Sequence, residues 1–153
     1  MINKNIKSLK ILIVAGGWSD EREISLMSGK NVFSCLKKNK FNTKFLDLKK
    51  NNLYKVLKYK PDIIFNALHG KFGEDGGMNS YASKNRIAIT HSESISSALC
   101  FNKRLLKNFL KNKLNILSPK EIKHVNKIKF PVILKPNWGG SSKGIKYLNN
   151  RSE

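Results

Sequence analysis

Acidic residues are scarce in this chain: 10 Asp and Glu stand against 30 Lys and Arg, a formal charge of +20 over 153 residues. Arginine is scarce too, with only Arg22, Arg86, Arg104 and Arg151. Proteins that read bases and phosphates favour Arg, clustered and interleaved with aromatics. Here lysines are spread along the whole chain among abundant Asn and Ile. That is the compositional drift AT-rich codons produce. No specific nucleic-acid partner is expected, only weak, salt-sensitive adhesion to polyanions. Two unclustered cysteines, Cys35 and Cys100, give neither a disulfide framework nor a thiolate metal site. No apolar run approaches the roughly 18 residues of a membrane-spanning helix, so no membrane partner is expected. Met1 to Lys10 is polar and basic, but the apolar run behind it is too short for the core of a secretion signal, which points to the cytoplasm. With 40% hydrophobic residues, the chain has the composition of a folded protein, with room for one domain and part of a second.

What is present is organised around Ile11 to Ser25. Ile11-Leu12-Ile13-Val14-Ala15 is a continuous apolar run, as expected of a strand covered on both faces in a parallel sheet. Gly16-Gly17 allow a sharp turn, Asp20 suits a helix N-cap, and Glu23 can complete a capping box. Ser25, Gly29, Val32, Phe33 and Leu36 form one helical stripe, small residues first, so the helix can start close to the strand. Further strands are expected at Asn42 to Leu48, Asp62 to Leu68 and Arg86 to Thr90, with a short helix at Leu53 to Leu57 and another at Gly77 to Lys84 capped by Asp75. The β-α-β-α-β-α-β order predicts an α/β fold with a doubly wound parallel sheet.

Ser92 to Ala98 reads as a loop or short helix. Asn102 can cap a helix that buries Leu105, Leu106, Phe109 and Leu110. Ser118-Pro119 marks the domain boundary, giving domains 1–117 and 118–153. Phe130 to Lys135 and Gly144 to Leu148 then form a hairpin around a glycine- and serine-rich loop. A lone hairpin is marginal and little chain follows to cover it, so the sequence is expected to be a fragment of something longer.

Ligands of open α/β sheets bind off the carboxyl ends of the strands, which singles out several residues. Glu21 and Glu23 in a first helical turn are accounted for by dipole compensation, about 0.3–1 kcal/mol each. Capping needs only one of them, and a carboxylate placed there suits a substrate ammonium. His69 follows a strand and opens a glycine-rich loop, a place for ligand contact or for a satisfied structural residue. His91 and His124 read as structural or surface groups. Lys103 opposes the dipole at its helix start unless an anion shares it with the helix amides, although lysine is common enough here to fall there by chance. Lys135, on the same face as Ile133, is costly in a covered interior without a negative partner. Gly139-Gly140-Ser141-Ser142-Lys143-Gly144 offers the amides and hydroxyls of a phosphate-covering loop, without P-loop spacing.

Taken together, four ordered runs resemble the D-alanine–D-alanine ligases, ATP-grasp enzymes of peptidoglycan synthesis. They are Gly16 to Ser25; Ala67-Leu68-His69-Gly70 with Gly73-Glu74-Asp75-Gly76; Ser97 to Lys103; and Pro131 to Pro136 with Gly140-Ser141-Ser142-Lys143-Gly144. The resemblance implies a Rossmann-like, pre-ATP-grasp domain followed by the beginning of an ATP-grasp domain. It implies that Glu21 orients the amino group of the first D-alanine and that Ser141 joins a hydrogen-bond network with Glu21. It places His69 near the first D-alanine's carboxyl group, with Ser142 as a substrate contact, and has Lys103 and Lys135 hold ATP phosphates. ATP and Mg2+ are implied for the complete enzyme, which phosphorylates one carboxylate and lets the second amine attack it. A homodimer through the N-terminal domain is also implied.

Four positions depart from the pattern. Glu93 replaces a usual glycine, Asn102 a common aspartate, and the run after Gly76 is atypical at Gly77 and Asn79. The family's magnesium-binding carboxylates lie in a segment not present here, so no metal ligand is expected and this chain alone is expected to be inactive. The competing readings are another ATP-grasp carboxylate–amine ligase and a non-catalytic remnant binding a small amino acid.

Overall fold

A computed structural model describes residues 6–122, 124, 126 and 128–152. The chain forms two compact units, Met1–Ala98 and Leu99–Glu153. In the first, strands β1 (Ile11–Gly16), β2 (Thr43–Leu48), β3 (Ile63–Asn66) and β4 (Ala88–Ile89) alternate with helices α1 (Arg22–Lys38), α2 (Lys55–Lys58) and α3 (Gly77–Lys84). The four strands make one sheet in the order β2-β1-β3-β4, every pair parallel. Ile11 lies opposite both Thr43 and Ile63, and Val14 opposite both Leu46 and Asn66. The parallel α/β sheet expected from the element order is therefore present, with β1 in its interior.

The period of two along β1 divides the core. Leu12 and Val14 pack with Leu46, Leu48 and Ile64, and with Val56 of α2 and Met78 and Ala82 of α3. Ile13 and Ala15 pack with Ala67 and with Leu26, Val32, Phe33 and Leu36 of α1. Successive side chains point to opposite faces, so one apolar run feeds two cores and the sheet carries helices on both sides. Full burial of each Leu, Ile, Val or Met side chain stabilises by about 1.5–3 kcal/mol relative to exposure. Among the described residues, no helix is long and apolar enough to cross a membrane.

Ser25, on the first turn of α1, is fully buried. Its Oγ accepts from the Gly16 amide at 2.7 Å and donates to the Ala67 carbonyl at 2.7 Å, joining the carboxyl ends of β1 and β3. Replacing Ser25 by alanine orphans both backbone groups. Ser25→Ala is expected to lower unfolding free energy by about 2 kcal/mol, read as a lower urea midpoint with unchanged slope.

Two local expectations are corrected. The N-cap of α1 is Glu21, not Asp20, and no side chain caps it, so the Asp20–Glu23 capping box does not form. The turn is closed instead by Ser19, whose Oγ accepts from the Glu21 amide at 3.2 Å. Gly76, in the left-handed region, is the N-cap of α3, while Asp75 still satisfies the first turn by accepting from the Gly77 amide at 3.0 Å.

Helix α4 (Ser94–Phe101) spans the division between the units. The second unit contains α5 (Lys103–Leu114) and an antiparallel hairpin of β5 (Val132–Leu134) and β6 (Lys146–Leu148). Ser118 and Pro119 lie within this unit. Asn102 caps α5 as expected, its Oδ1 accepting from the Leu105 amide at 3.0 Å. The expected buried stripe is not formed: Leu105 and Phe109 are exposed. Ile133 and Leu134 are also exposed, and so is Lys135. Among the described residues, then, Lys135 does not face a covered interior.

Candidate functional site

Two loops leave the sheet at the carboxyl ends of β1 and β3. Gly16 and Gly17 both take positive φ, 88° and 79°, which makes the reversal between β1 and α1 possible. The reversal is fixed from below by Arg22. Its guanidinium donates to the Gly17 carbonyl at 3.0 Å and the Leu48 carbonyl at 3.1 Å, and to both oxygens of Asp47 at 2.7 Å. The ends of β1 and β2 are thus held by one planar group, whose fork suits several acceptors at once.

Above this, Ser19 joins the two loops. Its Oγ donates to the His69 carbonyl at 2.6 Å while accepting from the Glu21 amide. Glu21 and His69, 48 positions apart in the numbering, are therefore attached to one hydroxyl. The Glu21 carboxylate also borders Gly70, since a methyl group there would stand 3.8 Å from its Oε1 and 3.1 Å from Ser19 Cβ. His69 is half-buried, with Nε2 3.4 Å from Ser28 Oγ and Nδ1 3.7 Å from Glu74 Oε1. Glu74 is fixed in turn, its Oε2 accepting from the Gly70 amide at 3.1 Å and its own amide donating to the Gly70 carbonyl at 2.8 Å. This arrangement sets a carboxylate and an imidazole over the sheet on short, hydrogen-bonded loops, which suits the ammonium and carboxylate of a small zwitterion.

In the second unit, Lys103 Nζ donates to the Gly139 carbonyl at 2.6 Å, so the ammonium lies against the glycine-rich loop. Ser141 and Ser142 in that loop take φ of 50° and 57°, the left-handed region that non-glycine residues enter at a cost of order 1–3 kcal/mol each. Lys135 follows β5 directly. The first-turn amides of α5 are already used. Lys103 N donates to the Asn137 carbonyl at 3.0 Å, Arg104 N to Asn137 Oδ1 at 2.9 Å, and Leu105 N to Asn102. An anion at Lys103 would therefore be met by the ammonium and not by free helix amides, which corrects the expectation that both share it. A lysine ammonium beside a glycine- and serine-rich loop offers donors for phosphate oxygens, and these residues suit a phosphate group. They do not suit a divalent cation: Glu121 is the sole carboxylate between residues 99 and 152, and it is paired with Arg104 at 2.7 Å. Among the described residues, no group of three or more His, Cys, Asp and Glu side chains could hold a metal ion.

The geometry can be set beside known proteins. The D-alanine–D-alanine ligase of Pelagibacter ubique is 43% identical over 147 residues, covering 87% of this chain and 48% of that protein. That of Rickettsia canadensis is 39% identical over 144 residues, covering 90% and 41%. A crystal structure of the Bacillus anthracis enzyme superposes with a TM-score of 0.81 at 31% identity, over 95% of this chain and 51% of that one. This chain is homologous to the N-terminal portion of the D-alanine–D-alanine ligases. It spans 41–48% of the length of these two curated relatives. A second Bacillus anthracis D-alanine–D-alanine ligase structure, in complex with ATP, superposes with a TM-score of 0.77 at 28% identity. No family model matches the chain.

The ligase resemblance draws on Glu21, His69, Lys103, Lys135, Ser141 and Ser142. The structure adds residues that it did not single out. Ser25 offered a faint signal as a small residue on the packed stripe, while Ser28 and Glu74 became partners of His69 only on folding. Asn137 offered none, being one asparagine among many.

Proposed function

We propose that this chain forms the first substrate site and part of the nucleotide site of a D-alanine–D-alanine ligase, joining two D-alanines through an acyl phosphate at the expense of ATP. The observation that carries the reading is the Ser19 hydroxyl linking the Glu21 and His69 loops at the carboxyl ends of β1 and β3. Glu21 then receives the ammonium of the first D-alanine and His69 lies near its carboxylate. Ser141 takes part in the reaction-centre hydrogen-bond network, Ser142 contacts substrate, and Lys103 and Lys135 neutralise phosphate charge. Residues 1–117 serve as the substrate domain and residues 118–153 as the start of the ATP-grasp domain, with Mg2+ held by residues outside this sequence. The site is that of a cytoplasmic enzyme of peptidoglycan synthesis that pairs with itself through the first domain.

Ligation itself is the test. The 153-residue chain with D-alanine and MgATP is expected to yield no dipeptide. Fused to the remaining portion of the Pelagibacter ubique relative, it is expected to yield D-alanyl-D-alanine, detected by mass spectrometry. A folded, ATP-binding fusion that makes no dipeptide removes the proposal. Preference for D-lactate or an L-amino acid as second substrate reassigns it to another carboxylate–amine ligase.

A further inference from the structure

We infer that Asn137 is a positioning residue that sets the Lys103 ammonium against the glycine-rich loop. This rests on the reading of Lys103 as a phosphate-holding group and adds a residue to it.

Asn137 holds two consecutive amides of α5. Its main-chain carbonyl accepts from Lys103 N at 3.0 Å, and its side-chain Oδ1 accepts from Arg104 N at 2.9 Å. Trp138 next to it makes an antiparallel bridge with Asn102. The Trp138 ring lies 6.1 Å from that of Phe101, so the contact extends from Asn137 to the residue that follows it. These groups come from parts of the chain more than 30 residues apart, and the side-chain bond from Asn137 fixes the register of the helix start on the loop.

The consequence falls on Lys103. Its ammonium reaches the Gly139 carbonyl at 2.6 Å, and an ammonium has three donors, of which this contact takes one. Asn137 sits two positions from Lys135 and two from Gly139, in the segment joining β5 to the loop. One residue therefore ties the helix carrying Lys103 to the strand end carrying Lys135. Lys103 is on a long, entropy-rich side chain, so the aim of its helix start decides how much of its charge reaches a bound phosphate. The role falls to an acceptor side chain because the Arg104 amide is an orphan of the first helical turn and needs a partner.

A double-mutant cycle on the full chain tests this, with inorganic tripolyphosphate as the probe at about 0.15 M salt, so that diffuse attraction to the basic surface is screened. Binding is read from the NMR shifts of the Gly139 to Gly144 amides, and Lys38→Ala on α1 controls for simple loss of charge. Lys103→Ala is expected to weaken binding about tenfold more than Lys38→Ala, and Asn137→Ala about fivefold. The double variant is expected to bind no more weakly than Lys103→Ala alone, because Asn137 acts through that lysine. Asn137→Gln, neutral and polar with its acceptor displaced by one methylene, repeats the measurement if the alanine variant loses its fold. Additive losses, or unchanged affinity in both Asn137 variants while Lys103→Ala is weakened, overturn the positioning role and leave the lysine assignment standing. Lys103→Ala indistinguishable from Lys38→Ala overturns the phosphate reading itself.

Discussion

Gly29→Val is expected to lower the unfolding free energy by about 3 kcal/mol or more, a large part of the 5–15 kcal/mol typical of a domain. Gly29 is buried on the face of α1 that meets the sheet. A Cβ built there stands 2.5 Å from Ala15 Cβ, 3.1 Å from Phe45 Cε2 and 3.5 Å from Ala67 Cβ. Ala15 and Ala67 are backbone-anchored methyl groups with no rotamer to retreat into, so helix and sheet must separate. Glycine costs about 1 kcal/mol of helix propensity against alanine, of which valine regains only part. The collision exceeds that gain, because moving α1 also strains the two Ser25 hydrogen bonds and loosens the packing around Ile13. Urea unfolding followed by circular dichroism reads the result, and an unchanged midpoint contradicts the packing described here.

Glu21→Gln in the fusion with the Pelagibacter ubique portion is expected to lower kcat/KM for D-alanine about a hundredfold, equivalent to about 2.7 kcal/mol. The replacement keeps shape and hydrogen-bonding reach but removes the charge that would face the substrate ammonium, and charge-assisted bonds are roughly twice as strong as neutral ones. The backbone bonds of Glu21 survive the substitution: its amide bonds to Ser19 Oγ and its carbonyl accepts from the Ser25 amide at 3.0 Å. Calorimetry of the 153-residue chain with D-alanine should show the matching loss of affinity. A Glu21→Gln fusion whose kcat/KM stays within about threefold of the parent removes Glu21 from the substrate site.

The sheet was legible because its signal is local. Apolar runs at Ile11 to Ala15, followed by Gly16, and at Asp62 to Leu68, followed by His69-Gly70, announce parallel strands without reference to distant residues. The fixings of the site were less legible because they are tertiary. Asp20 is a better capping residue than Glu21 by type, yet the turn closes through Ser19, whose hydroxyl is drawn to the His69 carbonyl 50 residues away. Arg22 meets Asp47 only once β1 and β2 are paired. In the second unit the apolar character of the hairpin was plain, but which face would be covered depends on neighbours that local pattern does not specify. Periodicity reports what a segment can bury and not what buries it.

The order of the strands bears on how the polypeptide acquires its shape during synthesis. β1 leaves the ribosome before both of its neighbours and yet ends with one on each edge. Until the chain has been extended through Asn66, one edge of that greasy segment has nothing native to meet. Of the four strands, the one made first is thus the one that waits longest. Its exposure to holding chaperones and to wrong partners is set by translation speed over the lysine- and asparagine-rich stretch between Lys37 and Lys60.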